Sequence, residues 1–256
     1  YNVQAAVDIK HHLIPAHEVT NVGTDRSQLS HMAKRTKAAL KADELEVVAD
    51  RGYFSSKEIL ACEEAGITVT LPKPMTSGSR AKGRFVKQDF VYLVEDDVYR
   101  CPAGEHLTYH YTNVEKGLTL RRYWTTACHI CAIKDQCTSG KERRITRWEH
   151  EHVLEAVQRR LDEHPEKMRR RRETVEHPFG TIKSWMGYTH FQMKTLKRGG
   201  TEMALHVLAY NTKRVMKLIG IAPLIAAMPA TGALFAAISG HIRPFSRNNH
   251  ETRTIG

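Results

Sequence analysis

The chain has 256 residues, 41% of them hydrophobic, and its 39 Lys and Arg against 28 Asp and Glu give a net charge of +11. This length and composition exclude a small disulfide-stapled peptide and an acidic disordered segment, and they are sufficient for a hydrophobic core. Residues 1–100 carry no net charge and residues 141–256 carry ten of the excess positive charges, which predicts a surface for a polyanion, with nucleic acid favoured over membrane lipid.

Two strands and a helix are predicted for the first forty residues. Residues 1–7 and 13–20 have strand character and hairpin spacing, which indicates an antiparallel pair. Thr24 or Asp25 can cap the helix that follows, and Gln28 stands three residues after Asp25, as in a capping box. The order at the start of the chain is therefore strand, strand, helix.

A strand, a helix and another strand come next. The apolar run 45–49 is typical of a buried strand, and Asp50 follows it at the edge of the sheet. Ser55 and Glu58 form a second capping box, which predicts a helix that ends near residue 66. Residues 67–71 are a further short apolar run and are predicted as a strand.

The rest of the chain changes character twice. A loop rich in Gly, Ser, Lys and Arg covers 76–87, and a hairpin-like stretch at 90–99 leads into a cluster of cysteines. From about Trp148 onward the pattern is helical and includes a basic run at 167–172.

Two carboxylates are candidates for chemistry. Asp50 lies where an open α/β sheet places its ligands, although an Asp after a strand is often only a turn former or a cap. One predicted helical face carries a carboxylate among cations, namely Arg169, Arg172, Glu176 and Lys183. An exposed helix with an ordinary ion pair would also give this pattern, but Pro178 should kink the helix just after Glu176.

Three strings of the sequence resemble a known family. They are YNVQAAVD at 1–8, VADRGYF at 48–54 and VEHPFGTIK at 175–183. Together they look like the catalytic core of bacterial insertion-sequence DDE transposases, in the branch that carries a cysteine-rich insertion, over residues 1 to about 219. The resemblance implies an α/β fold, a ribonuclease H-like mixed sheet with flanking helices, interrupted by a small cysteine-rich insertion.

The resemblance also implies roles for individual residues. In that family the second catalytic acidic residue follows the fourth strand, which matches Asp50, and the last lies on a helix, which matches Glu176. A Tyr, Arg, Glu, Lys signature surrounds the last one, and Arg169 stands at its tyrosine position. The implied ligands of Mg²⁺ (or Mn²⁺) are Asp50 and Glu176. The implied DNA contacts are Arg172, Lys183 and Arg169.

One strand of the family's sheet has no counterpart in the sequence. The family's sheet starts with three antiparallel strands, and the first catalytic Asp lies on the first of them, whereas only two strands precede the first helix here. That Asp is therefore expected upstream of Tyr1, and Asp8 is better explained as the former of a hairpin turn. Two Mg²⁺ ions about 4 Å apart need several carboxylate oxygens, so we expect a truncated form with weak or no activity.

Four of the five cysteines form a second candidate site, at Cys101, Cys128, Cys131 and Cys137. Thiolates with this Cys-x2-Cys pair can close a tetrahedral structural zinc site, while an iron–sulfur cluster and unligated thiols stay open as alternatives. Cys62, alone on a helix face, is expected in the core. Clustered cysteines favour a metal site in a reducing compartment over a disulfide framework.

The basic half is expected to face DNA. The run at 167–172 could be a solvated helix, but its neighbours favour a DNA-facing surface. These neighbours are Arg143, Arg144, Arg147, Arg159, Arg160, Trp148 and Trp185. The apolar stretch 219–238 is interrupted by two prolines, which favours a packed pair of helices over a membrane span.

The predicted domains are a first part of the core at 1–75, the insertion at 76–147, a helical second part at 148–220 and a C-terminal tail at 221–256. We expect a DDE transposase that cleaves and transfers double-stranded DNA at insertion-sequence ends and targets. Binding to DNA as a homodimer is a possibility that the sequence leaves open. With no apolar leader at Tyr1, a cytoplasmic, nucleoid-associated bacterial protein without membrane contact is expected. The alternatives are a non-catalytic, zinc-stabilised DNA-binding remnant and a zinc-ribbon RNA or DNA binder without transposase ancestry.

Overall fold

The computed structural model describes residues 1–74, 78–185, 187 and 189–226. Most of the predicted C-terminal helical pair and tail, from residue 227 onward, lies outside this range. None of the helices in the described range has the length and the apolar character that crossing a bilayer requires. Strands lie at Asn2–Ala6 (β1), Ala16–Thr20 (β2), Leu45–Val48 (β3), Ile67–Thr70 (β4), Val91–Leu93 (β5), Val98–Arg100 (β6), His106–Glu115 (β7), Leu118–Trp124 (β8) and Ile145–Trp148 (β9). Helices lie at Leu29–Leu40 (α1), Ser56–Glu63 (α2), Glu151–Glu163 (α3), Glu166–Gly180 (α4) and Leu196–Ile219 (α5).

The predicted N-terminal hairpin is present. β1 and β2 pair antiparallel, with Asn2 opposite Thr20. Asp8 forms the turn between them, because its carboxylate accepts a hydrogen bond from the His11 amide at 2.7 Å and its carbonyl accepts one from the His12 amide at 2.8 Å. The interpretation of Asp8 as a turn former is therefore correct.

The predicted strand, helix, strand unit is also present, with β3 and β4 parallel and Leu45 opposite Ile67. The two predicted capping boxes are not present. Gln28 precedes α1 without a side-chain cap hydrogen bond, and so does Ser55 before α2. The Glu58 carboxylate instead accepts from the amide and the hydroxyl of Ser30 on α1, at 2.9 and 2.7 Å. A partner on another helix has replaced the local cap.

The strands form an α/β arrangement with flanking helices, which confirms the predicted fold class. Among the described residues, β1 pairs with β2 alone and β3 with β4 alone. The predicted mixed sheet is thus present as an antiparallel pair and a parallel pair, and β1 and β3 each keep one edge without a paired strand. A strand edge of this kind presents backbone N–H and C=O groups that can pair with another strand.

A curled five-stranded antiparallel sheet, β5 to β9 in sequence order, occupies most of the predicted insertion. The hairpin expected at 90–99 is its first pair, β5 and β6. The sequence did not predict β7 and β8. β7 is exposed at nearly every position, so it lacks the alternation of polar and apolar residues that identifies a half-buried strand.

Two hydrophobic cores hold the α/β part together. One lies around β4, α2 and α3 and includes Ile59, Ile67 and Trp148. The other joins the hairpin to α5 through Val19 and Val207. Full burial of an aliphatic side chain such as Ile59, which is 1% exposed, contributes about 1.5–3 kcal/mol. Trp148 ends β9, so the five-stranded sheet is anchored directly in the first core.

Candidate active site

Asp50 lies at the C-terminal end of β3, as predicted, and begins a short 3-10 turn at Arg51–Tyr53. Its Oδ1 accepts a hydrogen bond from the Gly52 amide at 2.8 Å. Its Oδ2 accepts one from Nη2 of Arg171 at 2.9 Å. The side chain is 42% exposed, so the carboxylate is held in place and still open to solvent.

A second carboxylate, that of Asp25, lies beside Asp50. Its Oδ1 accepts hydrogen bonds from Asn2 Nδ2 and Gln4 Nε2, both at 2.7 Å. A Cβ placed on Gly52 would lie 2.9 Å from Asp50 Oδ1 and 3.6 Å from Asp25 Oδ2. The two carboxylates therefore both lie near Gly52, and a side chain there would displace the Asp50 carboxylate from its present position.

Tyr53 shows the electrostatic character of this corner. Its hydroxyl donates a hydrogen bond to Oε1 of Gln4. Burial raises the pKa of Tyr53 to about 12, and the negative charges of Asp25 and Asp50 add to this while Arg171 opposes it. Two neighbouring carboxylates in a partly buried, electronegative corner are the hard oxygen donors that Mg²⁺ takes in proteins.

Sequence reasoning missed Asp25, Gln4 and Tyr53 as members of this corner. Asp25 was interpreted as a possible helix cap, and a capping Asp and a site Asp look alike in a sequence. Thr24 is the cap of the short 3-10 turn that precedes α1, accepting from the Arg26 amide. Asn2 and Gln4 alternate on β1 within the string YNVQAAVD, and that polar alternation in an otherwise apolar strand was the available signal.

Helix α4 and the π turn that follows it carry the other predicted site residues. Arg171 reaches Asp50, and Thr174 and Val175 turn toward the interior. The exposed residues of α4 and the following turn include Arg169, Arg172, Glu176 and Lys183. These four predicted residues therefore share the solvent side, and within the described part of the chain the Glu176 carboxylate has no hydrogen bond or ion pair.

The predicted kink at Pro178 takes a different form. α4 continues through Pro178 to Gly180 and passes into a π-helical turn at Thr181–Trp185. A proline removes one helix hydrogen bond and crowds the preceding turn, and a wider π turn is one way in which a helix absorbs such a disturbance. Lys183 lies in this turn, just after the proline.

The four clustered cysteines line one small cavity between the five-stranded sheet and its loops. Burial raises the pKa of Cys137, and the neighbouring Cys128, Cys101 and Cys131 thiols add to this while Arg143 opposes it. The predicted tight turn after Cys101 is present, since its carbonyl accepts from the Gly104 amide at 2.9 Å. No group of three or more His, Cys, Asp or Glu side chains in the described residues is arranged to hold a metal ion.

Several residues of the predicted DNA-facing surface are structural instead. Trp148 is 5% exposed and belongs to a hydrophobic core. Arg147 is buried and pairs with Glu155 and with the hydroxyl of Tyr99. Arg160 donates two hydrogen bonds to the Val69 carbonyl, at 3.1 and 2.9 Å. Arg147 thus joins β9 to α3, and Arg160 joins α3 to β4.

Comparison with known proteins finds a family that resembles part of the chain. Residues 100–216 match the family model of the transposase DDE domain. This match supports a DDE transposase. The matched range of the DDE domain includes Glu176 and the four clustered cysteines, and Asp50 precedes it. No curated protein and no solved structure gives a significant match. Proteins of this family act on DNA and normally use a divalent metal such as Mg²⁺.

Proposed function

We propose that this protein is a DDE-type transposase whose chain performs metal-dependent DNA strand cleavage and transfer at insertion-sequence ends only weakly. The match of residues 100–216 to the DDE domain carries this proposal. The hydrogen bond between Arg171 and Asp50 supports it, because it fastens the helix of Glu176 to the strand end that bears Asp50. The proposal includes a bacterial origin and a place in the cytoplasm at the nucleoid, where a transposase would meet its DNA.

Asp50 and Glu176 are the proposed metal ligands, and Asp25 is a further carboxylate beside Asp50. A bound pair of divalent ions would activate the attacking oxygen and stabilise the leaving one. The chain's own part is to hold Asp50 by the Gly52 amide and to release it from Arg171 when a metal competes for the carboxylate. None of the described residues is assigned to the first catalytic Asp of the family, and the proposed weakness of cleavage rests on that.

The exposed cations of α4 are the proposed contacts to DNA phosphates. Arg169 and Arg172 are exposed on α4, as Glu176 is, and Lys183 is exposed on the π turn that follows. An arginine can bind two phosphate oxygens at once, whereas a lysine offers a point charge. These contacts would position the scissile phosphate without reading base sequence. Binding as a homodimer would bring two ends together.

We further propose that Cys101, Cys128, Cys131 and Cys137 bind a structural zinc ion. The support is that all four line one cavity, and that Cys101, Cys128 and Cys131 lie close enough to Cys137 to add to the effect of burial in raising its pKa. Four thiolates leave no open position on zinc, so such an ion would stabilise the insertion and take no part in cleavage.

The second candidate function is a zinc-stabilised DNA-binding remnant without catalysis. The observation that favours it is that no group of three or more His, Cys, Asp or Glu side chains among the described residues is arranged to hold a metal ion. The two functions share DNA binding and differ in cleavage.

A nicking assay separates them. The chain is incubated with a supercoiled plasmid that carries the ends of its own element, with Mg²⁺ or Mn²⁺, beside Asp50→Asn and Glu176→Gln variants. Weak nicking that both variants abolish would support the transposase. DNA binding without any nicking would support the remnant. Robust cleavage by the unmodified chain would overturn the proposal that a catalytic Asp is missing.

A further inference from the structure

Arg143 has a buried hydrogen-bond donor without a partner. Within the described residues its Nε is buried and makes no hydrogen bond. A buried donor without an acceptor destabilises the structure that contains it, and an arginine stays charged in proteins. Arg143 was expected on the DNA-facing surface, but a buried Nε is not offered to a phosphate in solvent. This donor needs an acceptor inside the protein.

Arg143 lines the same cavity as the four clustered cysteines. Its guanidinium carbon lies 5.5 Å from the centre of the Phe90 ring, which lines that cavity too. Burial raises the pKa of Cys137 and the Arg143 charge opposes that rise, so the guanidinium is near enough to favour a thiolate. Of the described side chains that line the cavity, only the cysteines can become negatively charged. A cysteine thiolate is therefore the strongest acceptor that the cavity can offer to Arg143.

The charges around the cavity match those of a zinc ion held by four thiolates. Such a group carries a net charge of −2, and a buried charge is costly unless it is compensated. Lys134 and Arg143 are the cationic residues in the described lining of the cavity. Lys134 is held close to Cys137, because its carbonyl accepts a hydrogen bond from the Cys137 amide at 2.8 Å. The two cations together can therefore offset the charge of the bound group.

We infer that Arg143 is a positioning residue for zinc in the cysteine cavity, where its buried Nε donates a hydrogen bond to a thiolate and its charge offsets that of the four sulfurs. No group of three or more ligands is arranged for a metal among the described residues, so the sulfurs draw together when zinc binds. Arg143 favours that closed arrangement, because its Nε has a partner only there. It has this role only if the cysteines bind zinc as proposed above.

Substitutions at two adjacent arginines test this role. Arg143→Gln removes the charge and Arg143→Lys keeps it. Arg144→Gln is the matched control, because the Arg144 side chain is 58% exposed, pairs with Glu142 at 2.9 Å and is not part of the described cavity lining. The zinc dissociation constant of each full chain is measured by competition with a chromophoric chelator.

We expect Arg143→Gln to bind zinc about tenfold or more weakly, because hydrogen bonds to metal ligands contribute this much to affinity. Arg143→Lys should lose less, and Arg144→Gln should match the unmodified protein. With Co²⁺ in place of zinc, the thiolate-to-metal absorption of Arg143→Gln should lie at longer wavelength, because a thiolate without a nearby cation gives up electron density more readily.

The metal-free protein separates this role from a merely structural one. Its urea midpoint should be no lower in Arg143→Gln than in the unmodified chain, because the Nε has no hydrogen bond to lose there. Equal zinc affinities of Arg143→Gln and the unmodified protein, or an equal fall in urea midpoint with and without zinc, would overturn the inference while leaving the zinc site in place. An unmodified chain that binds no zinc would refute the four-cysteine site itself, and the role of Arg143 with it.

Discussion

Arg171 donates a hydrogen bond from Nη2 to Oδ2 of Asp50 at 2.9 Å. The two residues are 121 positions apart in the sequence, so this contact joins the two halves of the α/β core at the predicted site. The Arg171 side chain is 22% exposed and that of Asp50 42%. The pair is thus a partly solvated ion pair between α4 and the end of β3, and its contribution to stability is small.

Replacing Arg171 should loosen α4 from β3. We expect Arg171→Met to lower the free energy of unfolding by about 1 kcal/mol or less, because exposed ion pairs contribute little. Urea denaturation measures this, with Arg170→Met as the control, since Arg170 is exposed on the same helix. Equal losses in both variants would mean that the contact with Asp50 does not stabilise the fold.

Gly52 should not tolerate a side chain. In Gly52→Ala the new Cβ would lie 2.9 Å from Asp50 Oδ1, which forces the carboxylate away from the Gly52 amide and removes a cap worth about 1 kcal/mol. At Gly200 in α5, by contrast, a Cβ would meet no neighbouring atom within 4 Å. Gly200→Ala should therefore stabilise the protein by up to about 1 kcal/mol. Thermal or urea unfolding of both variants checks the opposite signs.

Tyr53 should make stability fall with pH in the alkaline range. Its pKa is about 12 in the folded protein and 10.0 for an ordinary tyrosine. Between these values the unfolded chain loses the phenolic proton and the folded chain keeps it, so this contribution is complete below pH 10 and declines up to about pH 12. Urea midpoints from pH 9 upward should fall more steeply for the unmodified protein than for Tyr53→Phe.

The Asp25→Asn variant tests the cause of that shift. Loss of one negative charge should lower the pKa of Tyr53 toward its ordinary value, because Asp25 is one of the groups that raise it. Phenolate absorbance, taken as a difference from Tyr53→Phe, measures the change. An unchanged titration in Asp25→Asn would show that the Asp25 charge does not contribute to the raised pKa.

The cysteine cavity should hold about one zinc ion per chain. Elemental analysis of protein purified without chelator checks this, and Cys131→Ser should lose the metal and melt at a lower temperature. Cys62→Ala is the control, because Cys62 is buried in the α/β core away from that cavity. Protein that contains no zinc before any chelator is added would contradict the four-cysteine site.

The α4 cations should set the salt dependence of DNA binding. The logarithm of affinity falls by about 0.9 per phosphate contact for each unit in log salt, so neutralising Arg169, Arg172 and Lys183 to Gln should reduce the slope by roughly 2.7. The control neutralises three exposed lysines of residues 1–100, the part without net charge, namely Lys10, Lys34 and Lys41. A slope that changes equally in both triple variants would exclude the α4 face as the DNA contact surface.

Local patterns predicted much of the α/β part. The hairpin, β3 with Asp50 at its end, α1, α2 and the helical region after Trp148 all follow from periodicity and turn residues. β7 escaped prediction because it is exposed on both faces. The candidate site was predicted in part, since Asp50 was identified from the sequence and Asp25 was not.

The sequence by itself determined most of the helices and strands of the α/β part, the distribution of charge along the chain and the resemblance to DDE transposases. These depend on residues close together in the chain. The tertiary structure decided which partner each polar group takes: Glu58 binds Ser30 instead of capping its own helix, and Arg160 binds the Val69 carbonyl instead of facing DNA. It also decided that β1 and β3 leave a groove between open edges. Such choices are competitions between local and distant partners, and the distant ones exist only once the elements have packed.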